Sequence, residues 1–446
     1  MTSVRYFRAN TEPSWNDMEL EQMAQAIESC LAAYFIAANV STYSPGPVFT
    51  LFRLTLEPGV RISKITALIP ELIRALAVRG IQVLDSIPGT SFAGLLITNN
   101  VRQIVSLESI LNSSAFAESP SPLTLMIGVD SSGQPVAIDL NRMPHLLVVG
   151  TANSGKSLLM HAIIISLLLK SSPDDVRLIL VDTNQLELAP YHDIPHLLTP
   201  VITAPEDAGR GLRWLIAEME RRYKLFQALG SRNLDAYNRQ ITDSESSGRP
   251  IPDPYWIPEP GREQPFLCSL PHLVFLVEDY ADILACDEPN EEMIVTLTRQ
   301  GHAVGIHLIL TTRTPLPNVI TSRIKSNIPA RIALKVSTKS DSRLILDHEG
   351  AESLFGAGDL LFLSADSATP ARIQGAYADA REINKTADAW RNTAKPCYIE
   401  GLFRAPAIAH LSQKMSWTHC LTRPFFSLLK TISLCFWRAA PISYRI

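Results

Sequence analysis

Apolar positions along this chain switch between helical and strand spacing. Met18, Met23, Ile27 and Leu31 recur at helical intervals, which predicts a helix over 18–36. Val48 to Leu56 alternates as a strand does, just after the turn-forming Ser44-Pro-Gly-Pro47. A helix over 65–79 and strands over 81–85 and 93–97 follow, giving a small α/β unit that runs to about Phe116. Glu118-Ser-Pro-Ser-Pro122 then punctuates a boundary. Four segments result: a disordered start (1–13), a small α/β domain (14–118), a larger domain (119–402) and a tail (403–446).

In the larger domain, short continuous apolar runs alternate with helices. Leu146 to Val149 reads as a buried strand and Leu158 to Lys170 as the helix after it. Val176 to Val181 is a strand ending at Asp182, Asp207 to Leu229 a long helix, and Asp243 to Pro265 a surface loop rich in Pro, Gly, Ser and acid. Leu273 to Val277 is a strand tipped by Glu278-Asp279, and Ile306 to Thr312 and Arg331 to Val336 are two more. Strands of this type, interleaved with helices, predict an α/β fold with a mostly parallel sheet covered on both faces. Such sheets bind ligands at the carboxyl ends of their strands, where Gly150, Asp182, Glu278 and Arg313 all fall.

Composition narrows the function classes. A length of 446 residues allows two or three domains with ample core. The net charge of −4 excludes an overall basic coat, so any DNA contact must come from local patches or a pore lined by several copies. Six scattered cysteines without a C-x-x-C pair suggest neither a disulfide framework nor a zinc site. No run approaches the roughly twenty apolar residues of a membrane span, and the polar first residues carry no signal-peptide pattern. A cytoplasmic setting is expected, with the inner membrane reached only through partners.

The chemistry is concentrated in two places. Gly150-Thr151-Ala152-Asn153-Ser154-Gly155-Lys156-Ser157 fits G-x-x-x-x-G-K-[ST] at every position. The backbone N–H groups of such a loop cradle the phosphates of ATP, its Lys reaches the outer phosphates, and its Ser hydroxyl binds Mg²⁺. The second place is the acidic tip Glu278-Asp279. Hydrolysis needs one carboxylate for the metal shell and another for the attacking water; Glu278 is expected in the first role and Asp279 in the second.

With these motifs on the page, the chain resembles the FtsK/SpoIIIE double-stranded DNA translocases, cell-division type, over roughly Ser14 to Leu402. Matching stretches include Tyr43-Ser-Pro-Gly-Pro-Val48, Leu56-Glu-Pro-Gly-Val60, Ser119-Pro-Ser-Pro-Leu-Thr124, Leu186-Glu-Leu188 and Ile194-Pro-His-Leu-Leu-Thr199. Met219-Glu-Arg-Arg-Tyr-Lys224, Arg249-Pro-Ile-Pro-Asp-Pro-Tyr-Trp256, Gly305-Ile-His-Leu308 and Asp341-Ser-Arg343 continue the series in order. The resemblance implies a RecA-like P-loop motor domain beneath a small stacking domain. It also implies a hexameric ring around double-stranded DNA, ATP hydrolysed between neighbours, and work in chromosome partition and cell division.

Several positions depart from that pattern. The family's Asp-Glu tip is reversed here as Glu278-Asp279, and its phosphate-sensing Gln is Arg313 within Thr311-Thr-Arg-Thr-Pro315. His302 replaces another basic position, and Asp182-Thr-Asn184 replaces Asp-Pro-Lys. Arg331 and Arg343 are retained as candidates to act across a subunit interface; Arg313 or Arg331 is expected near the γ-phosphate. These departures predict a translocase with weakened hydrolysis. The alternatives are a non-enzymatic ring module that binds nucleotide and DNA, and a plasmid-transfer motor of the same superfamily. The family's membrane spans and winged-helix domain are not recognisable, and the pattern is lost at Phe403. The tail from Pro424 to Ala440 has amphipathic helical spacing, which fits a helix packed on its own domain or the product of a truncated reading frame.

Overall fold

The computed structural model describes residues 17–399, save 47, 86, 88–89, 100–102, 259–262 and 288. The expected disordered start and the amphipathic tail helix lie outside the described residues. No helix among the described residues is long and apolar enough to cross a membrane.

The first module comprises α1 (Asp17–Ala33), β1 (Ala38–Pro45), β2 (Phe49–Leu56), α2 (Ile62–Ala67), α3 (Ile69–Ala75), β3 (Ile81–Leu84) and β4 (Ala93–Thr98). Its four antiparallel strands run in the order β1-β2-β4-β3. Leu20, Ile27 and Leu31 turn one face of α1 onto a core shared with Phe52, Leu54, Leu95 and Ile97. Two expectations are corrected here. The single helix over 65–79 is two helices broken at Leu68, because Pro70 at the start of α3 has no N–H to continue a helical ladder. Strand β1 was not foreseen, since this exposed edge carries Asn39, Ser41, Thr42 and Ser44 and a bulge between Val40 and Thr42.

The second module runs α4 (Leu107–Leu111), α5 (Ser114–Ala117), β5 (Thr124–Asp130), β6 (Pro135–Asp139), β7 (His145–Val149), α6 (Lys156–Lys170), β8 (Val176–Val181), α7 (Pro205–Leu229), α8 (Leu234–Ser246) and β9 (His272–Val277). It continues with α9 (Tyr280–Cys286), α10 (Pro289–Gln300), β10 (Ile306–Thr312), α11 (Ser322–Asn327), β11 (Ala330–Leu334), α12 (Lys339–Leu346), β12 (Asp359–Leu363), β13 (Ala371–Gly375) and α13 (Ala380–Thr393). Nine strands form one sheet, ordered β6-β5-β13-β12-β11-β7-β10-β9-β8. The block β11-β7-β10-β9-β8 is parallel, as the buried apolar runs predict, and four antiparallel strands extend it. The sequence reading did not separate those four strands.

Two further boundaries move. The loop expected from Asp243 begins inside α8, whose Leu234, Tyr237 and Ile241 are buried at helical spacing. Asn233 caps that helix by accepting the Ala236 N–H. The stretch 105–117, read from the Ser-Pro punctuation as part of the small domain, packs into the larger core instead. Val105, Leu107, Ile110 and Phe116 share that core with Leu125, Ile127 and Ile163. Among the described cysteines, Cys30, Cys268 and Cys286 are free thiols.

A buried guanidinium joins the modules. Arg372 pairs bidentately with the fully buried Asp359 at 2.7 and 3.0 Å and donates to Gln82 Oε1 at 2.5 Å. Its plane lies 4.2 Å from the Phe49 ring centroid and 5.1 Å from that of Phe355. A Cβ on Gly80 would come within 2.3 Å of the tip of the Phe355 ring, which would have to move aside. Removing one partner of a buried pair leaves an uncompensated charge. Arg372→Ala is therefore expected to destabilise the chain by about 3–5 kcal/mol, read by urea unfolding; a loss under about 1 kcal/mol would contradict the buried joint.

At the amino ends of the parallel strands the buried polar groups include three imidazoles, beside the fully buried Arg222, which donates to the Pro271 and Val304 carbonyls at 2.8 Å each. His307 Nδ1 lies 3.0 Å from the Pro144 carbonyl and must donate to it, so its Nε2 accepts from His272 Nδ1 at 3.1 Å. His145 Nδ1 accepts the Leu308 N–H at 3.1 Å. Burial lowers His145 to about 3, with repulsion from His302 adding to it, and lowers His272 to about 4. Burial also lowers His196, on the helix-packed side, to about 3. These groups bind protons more readily when unfolded, so their contribution to stability is present above about pH 6.5 and is lost as pH falls toward about 4. Melting temperature should drop steadily from pH 7 to pH 5 in a thermal-denaturation series; a flat profile there would contradict the neutral histidine cluster.

Candidate active site

Strand β7 ends at Val149, and the backbone must turn within six residues to start α6 at Lys156. Neighbouring strands hold the turn. Gly150 N–H donates to Thr312 O at 3.2 Å, and Thr151 donates through both N–H and hydroxyl to Lys335 O at 3.1 and 2.9 Å. Gly358 N–H donates to Ser154 O at 2.9 Å. Asn153 (φ 60°) and Gly155 (φ 103°) take left-handed conformations, and a Cβ on Gly155 would sit 2.3 Å from Gly358 N. Ala152 lies in the turn between these anchors. The loop therefore opens directly onto the first turn of α6, whose N–H groups have no helical partners. Ser154 Oγ is buried without a hydrogen-bond partner. This turned backbone, free N–H groups and unpartnered hydroxyl fit a polyphosphate.

The side chains converge on Glu278, at the end of β9 and only 1% exposed. Lys156 Nζ donates to Glu278 Oε1 at 2.8 Å, to its main-chain oxygen at 2.7 Å and to Thr311 Oγ1 at 3.2 Å. Arg313 Nη2 bridges both Glu278 oxygens at 2.9 and 3.0 Å, and Asn184 Nδ2 donates to Oε2 at 2.8 Å. Burial pushes the Glu278 carboxyl up, but Lys156, Arg313 and Asn184 together hold it below the ordinary carboxylate range. The bonds to Glu278 raise the Arg313 guanidinium further.

Asp279 behaves differently. Its Oδ1 accepts from Thr312 Oγ1 at 2.8 Å and from Ala281 N–H at 3.3 Å, capping α9. Burial nonetheless raises its carboxyl above the usual value, which suits a proton acceptor. Arg313 Nε stands 4.0 Å from its Oδ2. Asp182, at the end of β8, uses Oδ2 to accept the N–H groups of Glu187 and Leu188 at 2.9 Å each, while its buried Oδ1 has no partner.

Five expected residues thus meet at one place: Lys156, Ser157, Glu278, Asp279 and Arg313. Arg331 does not join them, because its guanidinium is held by Asp347 at 2.8 Å and by the carbonyls of Ile328 and Ile345. Arg343 pairs with Glu349, and His302 lies near the imidazole cluster, with ring centroids 6.2 Å from His307. Sequence reasoning missed Glu187, whose Oε1 accepts the Ser157 hydroxyl at 2.7 Å. Its only signal was the Leu186-Glu-Leu188 stretch, which has no periodicity to mark it. Asn184 and Thr311 were noted as departures but not as donors to this site.

Comparison with known proteins agrees with this geometry. The FtsK/SpoIIIE family profile matches residues 106–339 and the FtsK alpha domain profile matches 7–99. DNA translocase FtsK of Shewanella oneidensis is 44% identical over 385 residues, covering 86% of this chain and 42% of that protein. The Pseudomonas aeruginosa protein is 42% identical over 88% of this chain and 48% of its own length. That of Haemophilus influenzae is 42% identical over 89% and 75%. The chain therefore spans less than half of the first two relatives. Among solved structures, the pCW3 conjugation coupling protein TcpA, with ATPγS, has a TM-score of 0.54 at 20% identity, covering 82% of this chain and 99% of that one. The cytoplasmic domain of the Thermomonospora curvata secretion ATPase EccC has a TM-score of 0.51 at 20% identity, over 64% of this chain and 34% of that one. Those two likenesses establish a common P-loop ATPase fold. With one profile over just over half of the chain and close relatives along most of it, the chain belongs to the FtsK/SpoIIIE family.

Proposed function

We propose that this chain is the motor portion of an ATP-dependent double-stranded DNA translocase with slowed hydrolysis. The observation that carries the reading is the convergence of an intact phosphate loop with Glu278, Asp279 and Thr311 at the ends of adjacent parallel strands. Lys156 would exchange its bonds to Glu278 for the outer phosphates of ATP, Ser157 would hold Mg²⁺, which neutralises phosphate charge, and Asp279 would take the proton of the attacking water. Glu278 anchors Lys156 and Arg313, and in this reading it turns to the metal shell when Lys156 moves to the phosphates. Arg331 and Arg343 act, in this reading, on the site of a neighbouring subunit in a hexameric ring. The ring holds duplex DNA by its phosphates, so binding is sequence-tolerant and salt-sensitive. Relatives named DNA translocase FtsK support DNA as the substrate, and a place in chromosome partition and cell division is part of the proposal. A cytoplasmic location, with membrane attachment through partners, completes the proposal.

The second reading, a nucleotide-dependent ring module without turnover, is favoured by one observation. Arg313, whose Nη2 bonds both Glu278 oxygens and whose Nε stands 4.0 Å from Asp279 Oδ2, ties down the strand tip where the water must be activated. The third, a plasmid-transfer motor, has support only from likeness of fold.

Lys156→Ala is expected to weaken ATP binding by about ten-fold or more, since it removes a charge-assisted bond; equal affinities in a nucleotide titration would sink the reading. Combining Glu278→Asp with Asp279→Glu should raise duplex-stimulated ATP turnover by about ten-fold, or about 1.4 kcal/mol of barrier. Each single change should do less, because the groups act as a unit. No detectable turnover in either wild type or the double variant would move the conclusion to the non-enzymatic module.

A further inference from the structure

We propose that Arg313 is a latch on the strand tip: it must let go of Glu278 before that carboxylate can turn, so the departure of Lys156 alone does not free it. The inference rests on the nucleotide-binding reading above and makes Arg313 a positioning residue that restrains the resting site, in place of the contact to the γ-phosphate expected from sequence.

The first ground is the set of bonds on Glu278. Its Oε1 accepts from Lys156 and Arg313, and its Oε2 from Asn184 and Arg313. When Lys156 moves to the phosphates, one bond of 2.8 Å is lost. Arg313 still holds Oε1 at 2.9 Å and Oε2 at 3.0 Å, so neither oxygen can swing away while that nitrogen stays. Arg313 is then the remaining cationic partner of Glu278 among the described residues. A carboxylate 1% exposed gives up its last counter-charge only at a large desolvation penalty. The exit of Lys156 therefore tightens the latch.

The second ground is reach. Arg313 Nε stands 4.0 Å from Asp279 Oδ2, so one guanidinium spans both acids of the strand tip. Glu278 chiefly, with Asp279 and Glu187 adding to it, strengthens the hold of Arg313 on its proton.

The third ground is that the hold can open. Both bonds come from the single nitrogen Nη2, instead of the two-nitrogen fork of the strongest Arg–carboxylate pairs. The Arg313 side chain is 41% exposed, so water can take over its donors. The backbone beside it is fixed, with Thr314 N–H donating to Thr312 Oγ1 at 3.1 Å. Opening thus needs a side-chain swing and no movement of β10.

The test titrates a fluorescent ADP analogue into the full chain, in Mg²⁺ and in EDTA, and displaces it with ADP and with ATPγS. The readout is the gain in affinity that Mg²⁺ confers, which in the reading above depends on Glu278 turning to the metal shell. Arg313→Gln, which lacks the charge, should raise that gain by about five-fold, the scale of a partly exposed ion pair. Arg313→Met, uncharged and of similar length, should do the same. Arg313→Lys keeps a cation within reach and should return the gain toward wild type, which a packing defect would not allow. The preference for ATPγS over ADP should stay as in wild type. A gain in Arg313→Gln and Arg313→Met no higher than wild type overturns the latch. So does a loss of ATPγS preference in those variants, which would assign Arg313 to the terminal phosphate. Wild type that binds the analogue in neither condition overturns the underlying nucleotide reading, and this inference with it.

Discussion

An ionised carboxylate almost sealed from water at the tip of a strand requires donors, and the arrangement of strand ends in the larger domain follows from supplying them to Glu278. Three come from three different elements: Lys156 from the first residue of α6, Arg313 from just beyond β10, and Asn184 from the turn after β8. Removing one partner of such a buried pair costs about 3–5 kcal/mol in known cases, so the strand ends are held in register by charge as well as by the ladder. Lys156 is pre-positioned at the mouth of the phosphate loop by the same bond. Thr311, whose hydroxyl also bonds the Glu278 main-chain oxygen, keeps that oxygen from competing as a free acceptor.

The same strands end very differently at their two edges. Their carboxyl ends gather ionised side chains that cancel one another within about 3 Å. Their amino ends gather His145, His272 and His307 as neutral rings: His272 donates to His307 and His307 to the Pro144 carbonyl, while His145 accepts the Leu308 N–H. The opposite ends are tied instead by these rings and by the fully buried Arg222, which is paired with Glu218 and donates to the Pro271 and Val304 carbonyls.

Legibility in the sequence followed contiguity. The phosphate loop could be read to the residue because its parts are adjacent, and β7 to β10 because a strand buried on both faces is a continuous apolar run. Strand β12, with Leu360 to Leu363 equally apolar, gave no hint that its pairing is antiparallel, since direction is set by partners distant in sequence. The polar edge β1 was invisible for want of an apolar face. Glu187 and Arg331 mark the limit for the site. One reaches Ser157 only because Asp182 folds the intervening turn, and the other, though at a familiar position, spends its donors on Asp347. Pro and Ser at 119–122 signalled a boundary that packing places earlier, because punctuation records where the backbone turns and not which core the flanking side chains join.

That packing governs where the chain can be divided. A cut at the Ser-Pro punctuation would take Val105, Leu107, Ile110 and Phe116 out of the motor's own core. A cut between residues 99 and 105 spares them but still uncovers Phe355 and takes Phe49 and Gln82 from Arg372. Phe355 is only three residues from Gly358, which bonds the phosphate loop at Ser154. The small module therefore covers the segment that leads to Gly358, and a larger domain isolated without it would leave that segment bare.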